Sequence, residues 1–193
     1  SCFKKDILNL VYLSGYFGLP EVANYWNQVV VLNTWQQDRI YKIVLEKLFG
    51  TVNGKNIAIL GFSFKANTND TRESPAIKIS KNLILEGAQL SIYDPKVNEE
   101  KIKSEFKYSL DLPSNHELES AWVKSGSVEE AVEDADAIVI LTEWLEFKKL
   151  NWDNLIGLMR KPSWIFDTRN ILNLKDFKAL NTNIWINGQE IEN

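Results

Sequence analysis

Residues 57–77, IAILGFSFKANTNDTRESPAI, decide the fold. The apolar run Ile57, Ala58, Ile59 and Leu60 ends at Gly61 and gives way to a polar loop carrying Lys65 and Arg72, after which Pro75 stands where a helix can begin. A short apolar run bounded by glycine reads as a buried strand. Proline suits the first turn of a helix because its missing N–H would have had no intrahelical partner. Strand, loop and helix start, in that order, open a parallel sheet whose ligands bind beyond the carboxyl ends of the strands. Two cations and a helix N-terminus on that loop predict an anionic ligand, a phosphate as the first expectation.

Upstream, Ile7, Leu8, Leu10, Val11 and Leu13 recur at helical spacing, which predicts a helix over 5–17 with Asp6 near its start and a stop around Gly15 to Gly18. Pro20 and Glu21 open a longer helix. Its apolar positions Val22, Trp26, Val29, Val30, Leu32, Ile40, Ile43, Val44 and Leu48 continue toward Phe49. So much apolar surface exceeds what one small domain needs, so this helix is expected to link two domains or to form a dimer face. The helical period ends at Gly50 to Gly54, dividing the chain into a helical segment over 1–49 and a sheet domain over 50–193.

Downstream the pattern alternates. Helices are predicted over 75–86, 96–106, 128–133, 152–159 and 176–180, with another near Phe147; strands are predicted over 89–93, 137–141, 164–167 and 184–186 and at Trp122 and Val123. The polar run 107–119, with Pro113 and His116, reads as an irregular insertion. The class is therefore α/β: a helical N-terminal segment with a long connecting helix, then a doubly wound, mostly parallel Rossmann-like sheet with right-handed crossovers.

A chain of 193 residues with 45% hydrophobic content can bury a real core. Its net charge of -4 argues against broad attraction to nucleic acid or anionic lipid, so phosphate binding has to be local. One Cys excludes an internal disulfide, and one His without a Cys partner speaks against zinc, so no metal is expected and a reducing cytoplasm is the expected compartment. No apolar run approaches membrane-spanning length.

Several residues carry two readings each. The first strand ends in Gly61-Phe62-Ser63-Phe64-Lys65 and not in G-x-G-x-x-G, which argues against this sheet closing on a dinucleotide by itself. Asp94 stands where such folds keep a ribose-binding acid, or is a turn residue before Pro95. Lys65 and Arg72 hold a diphosphate, steer the phosphates of a nicotinamide cofactor, or are solvated loop charges, with Asp70 and Glu73 placed to orient Arg72. Arg169, after Asp167 and Thr168, poses the same choice, a salt bridge being its plain alternative. Cys2 is a small buried hydrophobe, or a thiolate favoured by Lys4, Lys5 and a helix beginning near Asp6. His116 reads as a surface residue, and Trp26 and Trp35 as packing on the long helix.

The motifs SCFKKDILNLVYL, LPEVANYWNQVV, GFSFKANTNDTRESPAI, IYDPKV, TEW and FDTRN, in this order and spacing, resemble the C-terminal half of the UDP-glucose 6-dehydrogenases of the animal and plant type. The likeness is weaker toward the GDP-mannose and UDP-N-acetylmannosamine dehydrogenases, and it is least in the insertion. It implies oxidation of the glucose C6 alcohol of UDP-glucose to UDP-glucuronate with two NAD+. Under it Cys2 matches the nucleophile, Asp6 the carboxylate that positions or activates water, and Lys5 a lysine contacting cofactor and site. Phe3 and Lys4 fall among cofactor contacts together with Cys2 and Lys5, although Lys4 departs from the glutamine common there. Phe64, Lys65 and Arg169 match contacts to the UDP-sugar, and Arg72 a contact to NAD.

The resemblance also implies that the long helix joins the domains and builds a homodimer. The family's NAD-binding domain, with its G-x-G-x-x-G, is expected upstream of Ser1. This polypeptide alone is accordingly expected to be inactive: a piece of the enzyme or, as the alternative, a truncated UDP-sugar-binding or dimerisation module.

Overall fold

The computed structural model describes residues 2–107 and 120–189. Two helices come first: α1 (Cys2–Tyr16) and α2 (Pro20–Lys47). The first begins three residues before the predicted start, because Cys2, Phe3 and Lys4 include no helix breaker. Gly18, at φ 73°, makes the turn between them, and Pro20 opens α2 as its spacing predicts.

The sheet and its helices follow as β1 (Asn56–Leu60), α3 (Pro75–Leu85), β2 (Gln89–Tyr93), α4 (Glu99–Lys107), β3 (Trp122–Lys124), α5 (Val128–Val132) and β4 (Ala137–Ile140). A 3-10 turn (Leu145–Lys149), α6 (Trp152–Leu158), β5 (Trp164–Asp167), α7 (Leu174–Phe177) and β6 (Asn183–Ile186) complete it. The six strands are ordered β3-β2-β1-β4-β5-β6 and every pairing is parallel, so the expected mostly parallel sheet is fully parallel among the described residues. That order is the doubly wound dinucleotide-type order, with its topological switch between β1 and β4.

Alternation along the strands sends their side chains into two cores. Ile57, Ile59, Val139 and Phe166 pack with Ile79 and Leu83 of α3 and with Ile40, Val44 and Leu48 from the second half of α2 and its end. Ala58, Leu60, Ile138 and Ile165 pack on the opposite side with Val132, Phe147, Leu155 and Ile156. Both faces are covered, which is why β1 and β4 read as unbroken apolar runs.

Two further helix boundaries differ from the sequence reading. The predicted helix over 96–106 begins only at Glu99, because Lys96 and Val97 give their N–H groups to Asp94 and Asn98 Oδ1 accepts from Lys101 N at 3.0 Å. The predicted helix over 176–180 is shifted to Leu174–Phe177, capped by Asn173. The insertion with Pro113 and His116 lies outside the described residues. No helix among them is long and apolar enough to cross a membrane.

Candidate functional site

Ligand-sized space opens where the loops after β1, β4, β5 and β6 meet the middle of α2. Gly61 turns the chain after β1 with φ 91°, and a Cβ built on it would lie 2.4 Å from Thr142 Cβ. Only glycine allows both that backbone and that approach. Across the contact Thr142 Oγ1 donates to Ser63 O at 2.7 Å, joining the loop after β4 to the loop after β1.

Two buried carboxylates hold these loops. Asp94, 3% exposed, accepts on Oδ2 from the N–H groups of Phe62 (2.7 Å) and Ser63 (3.0 Å) and from Trp144 Nε1 (3.2 Å). Its Oδ1 takes the N–H groups of Lys96 and Val97, each at 2.9 Å. Asp94 is thus a turn residue, and it also reaches across to shape the β1 loop. Asp167 accepts from the N–H groups of Arg169 (2.9 Å), Ile171 (2.7 Å) and Leu172 (2.8 Å), curling the chain after β5 so that Arg169 points back over the strand ends.

Arg169 ties three strand ends together. Its Nε donates to Leu141 O at 2.8 Å and stands 3.2 Å from Glu143 Oε2, while Nη2 donates to Phe64 O at 3.2 Å. The salt bridge expected as its plain alternative is present, and the same guanidinium lines a cleft of about 390 Å³ with Phe64, Lys65, Glu143, Thr168 and Asn187. Asn33, Gln36 and Gln37 of α2 form the opposite wall. Phe64 is half-buried, and Lys65 is exposed.

An apolar groove of about 500 Å³ adjoins this cleft, sharing Asn33, Gln36, Phe64 and Glu73 with it and walled by Phe3, Ile7, Val30 and Trp35. Lys4 pairs with Glu73 and stitches α1 to the β1–α3 loop. Of the residues predicted on α1, Phe3 and Lys4 therefore reach the site's edge. Lys5 and Asp6 are exposed and line neither cavity, and Cys2 is the first residue of the helix.

Arg72 does not join Lys65. Its Nε and Nη2 grip Asp70 at 2.9 and 2.8 Å, and it lines a separate cleft of about 610 Å³ with Lys96 and Lys101. The paired guanidinium holds the Asp70 carboxyl well below the usual carboxylate range, first through the side-chain hydrogen bonds. Of the two orienting acids expected for Arg72, Asp70 performs that task and Glu73 turns to Lys4.

Sequence reasoning missed Glu143, Thr168, Asn187 and the three amides of α2. Glu143 and Thr168 sit inside the motifs TEW and FDTRN, whose spacing marks them; the amides lie on a helix read only for its apolar face. Among the described residues no group of three or more His, Cys, Asp or Glu is placed to hold a metal ion.

The profile described as the UDP-glucose/GDP-mannose dehydrogenase family, UDP binding domain, matches residues 58–174. UDP-glucose 6-dehydrogenase 4 of Arabidopsis thaliana is 44% identical over 200 aligned residues, which cover 100% of this chain and 42% of that protein. UDP-glucose 6-dehydrogenase 1 of Oryza sativa subsp. japonica is 42% identical with the same coverage. A UDP-glucose dehydrogenase structure from the hyperthermophilic archaeon Pyrobaculum islandicum superposes with a TM-score of 0.69 over 96% of this chain and 36% of that one, at 20% identity, a likeness of fold. The chain spans 42% of the length of the curated relatives it matches. With a UDP binding domain profile over most of its sheet and the cleft of Lys65 and Arg169 at the switch point, this chain belongs to the UDP-glucose/GDP-mannose dehydrogenase family.

Proposed function

We propose that this chain is the nucleotide-sugar-holding part of an NAD-dependent UDP-glucose 6-dehydrogenase. The observation that carries the reading is the meeting of Lys65 and Arg169 in one cleft at the switch point of a sheet matched by a UDP binding domain profile. Lys65 supplies a point charge and Arg169 a fixed planar fork, a combination suited to a diphosphate. The amides of Asn33, Gln36 and Gln37 offer donors and acceptors for the edge of a base. The names of the plant relatives support UDP-glucose as the substrate.

In this reading NAD+ would supply the hydride acceptor for each of two oxidations at C6. Cys2, as thiolate, adds to the C6 aldehyde produced by the first, giving a thiohemiacetal. The second oxidation leaves a thioester, and water positioned by Asp6 hydrolyses it to UDP-glucuronate and frees the thiol. Lys5, Phe3 and Lys4 lie along the helix turn that carries Cys2 and serve as contacts to cofactor and site. Arg72, exposed and oriented by Asp70, suits a contact to a cofactor phosphate, while the main seat for NAD+ lies outside this chain. A free thiol as nucleophile fits a reducing, cytoplasmic compartment.

We also assign the exposed apolar side of α1 and the first half of α2 to a homodimer. Tyr16, Phe17 and Tyr25 are 69–72% exposed there, a density of uncovered aromatic surface that favours a partner. The same face supports the alternative that the chain serves as a UDP-sugar-binding or dimerisation module.

The intact protein decides between them. With UDP-glucose it is expected to reduce about two NAD+ per substrate, and Cys2→Ser is expected to stop turnover. An intact protein inert in that assay would remove the enzyme reading. For the chain alone, UDP-glucose is expected to raise the melting temperature, NAD+ to leave it unchanged, and Lys65→Ala to abolish the gain.

A further inference from the structure

In sheets that bind dinucleotides, the N–H groups at the turn after the first strand converge on a phosphate. Here that turn is already occupied from within. Phe62 N–H and Ser63 N–H, two successive donors, converge on Asp94 Oδ2. Lys96 N–H and Val97 N–H, a second successive pair, converge on Oδ1, and the Trp144 indole closes the remaining side. Successive amides focused on one anion form a nest, and this one has two such pairs. Phe62 and Ser63 are fully buried, so the seat has no opening toward solvent at that point. Lys124, at the end of β3, adds an attractive positive charge toward the same carboxylate.

We propose that Asp94 is an internal ligand. Its carboxylate fills the phosphate seat of the first turn, closes this sheet to a dinucleotide pyrophosphate there, and confines a nucleotide to the other side of the same loop, where Lys65 and Arg169 line the cleft. Asp94 is then a specificity-determining residue. A tethered carboxylate is present at a high effective concentration, which a free phosphate must exceed to displace it. The inference stands on the hydrogen bonds of the turn and not on which nucleotide sugar the cleft accepts.

The test compares the chain with Asp94→Ala and with Asp136→Ala, which removes a carboxylate bonded to Asn56 N and Arg160 at the opposite end of the strands. Melting temperature and the amide NMR signals of Phe62 and Ser63 are followed as formate or inorganic phosphate replaces chloride at constant ionic strength. Asp94→Ala should melt lower and recover part of the loss saturably with either anion. Its two amide signals should move along the same binding curve, and formate should produce neither effect in the unsubstituted chain or in Asp136→Ala. If Asp94→Ala folds only when formate and phosphate are each supplied, the result is the same. The proposal is overturned if the variant gains no more than the control, if it folds in neither anion, or if formate rescues it and phosphate does not. It is equally overturned if phosphate or NAD+ moves the Phe62 and Ser63 signals of Lys65→Ala, in which the cleft is disabled and Asp94 is kept. Binding of UDP-glucose is a separate readout, so loss of that reading would leave these outcomes unchanged.

Discussion

The two halves of α2 carry comparable apolar residues and meet opposite fates. In the second half and at its end, Ile40, Val44 and Leu48 are 5%, 0% and 2% exposed against the sheet. In the first half, Tyr25, Val31 and Leu32 are 69%, 51% and 63% exposed. Spacing by four therefore marks the face that the sheet covers, while Val31 and Leu32 project from other sides of the helix. The second half is a layer of the sheet's core; the first half packs against α1 and leaves Tyr25, Val31 and Leu32 exposed.

The sharpest way to break this contrast uses one chemical change at two places, one at the end of α2 and one in its first half. Leu48→Ala should cost about 2–5 kcal/mol in urea unfolding, because a buried leucine leaves a cavity. Leu32→Ala should stay within about 0.5 kcal/mol in dilute chain. An equal cost at Leu32 would mean that the first half is covered in solution. The next effect is on association: Leu32→Glu should lower the apparent mass in sedimentation at high protein concentration, and an unchanged mass would remove the dimer face from that half.

A smaller effect tests how firmly the second half is held. Burial first, and then the hydrogen bond to Glu86, push the Tyr41 hydroxyl up to about 12, and burial first, with Glu146 beside it, does the same to Tyr93. A folded-state value above the unfolded one favours the protonated native state. That contribution is fully present below about pH 10 and is lost as pH rises through about 12. Stability against urea should therefore fall over that alkaline window. Tyr41→Phe should flatten part of the slope, leaving the share due to Tyr93; an unchanged slope would show that Tyr41 is not held there. The smallest effect belongs to the Lys78–Asp38 pair at 2.7 Å, whose partners are both 37% exposed. Asp38→Ala should cost no more than about 1 kcal/mol, less at high salt.

Much of the fold was legible because its signals are local. Gln89–Tyr93 and Trp164–Asp167 end at aspartates that begin a turn, and Pro20 and Pro75 mark helix starts, so these limits could be read from neighbouring residues. The start of α4 was misplaced because its cause is distributed: Asp94 withdraws two amides and Asn98 supplies the cap. The site was legible in part for the same reason. Phe64, Lys65 and Arg169 could be assigned to strand ends, and the structure brings them together. Arg72 does not meet Lys65 because Asp70, a neighbour already placed to orient it, holds its guanidinium on the separate cleft. The bond from Phe62 N to Asp94 spans 32 residues, and no periodicity carries that information.

The wholly parallel sheet has a consequence for how the chain reaches this state. No two neighbouring strands can close as a local hairpin, since each parallel pairing needs a crossover. The central strand β1 must find β4 across a separation marked by the Asn56–Asp136 contact, 80 positions along the chain. Such ordering demands distant loop closures before their contacts give any return, and so places folding toward the slow end of single-domain rates. During that search the apolar runs of β1 and β4 are unpaired, so the yield on refolding should fall as protein concentration rises.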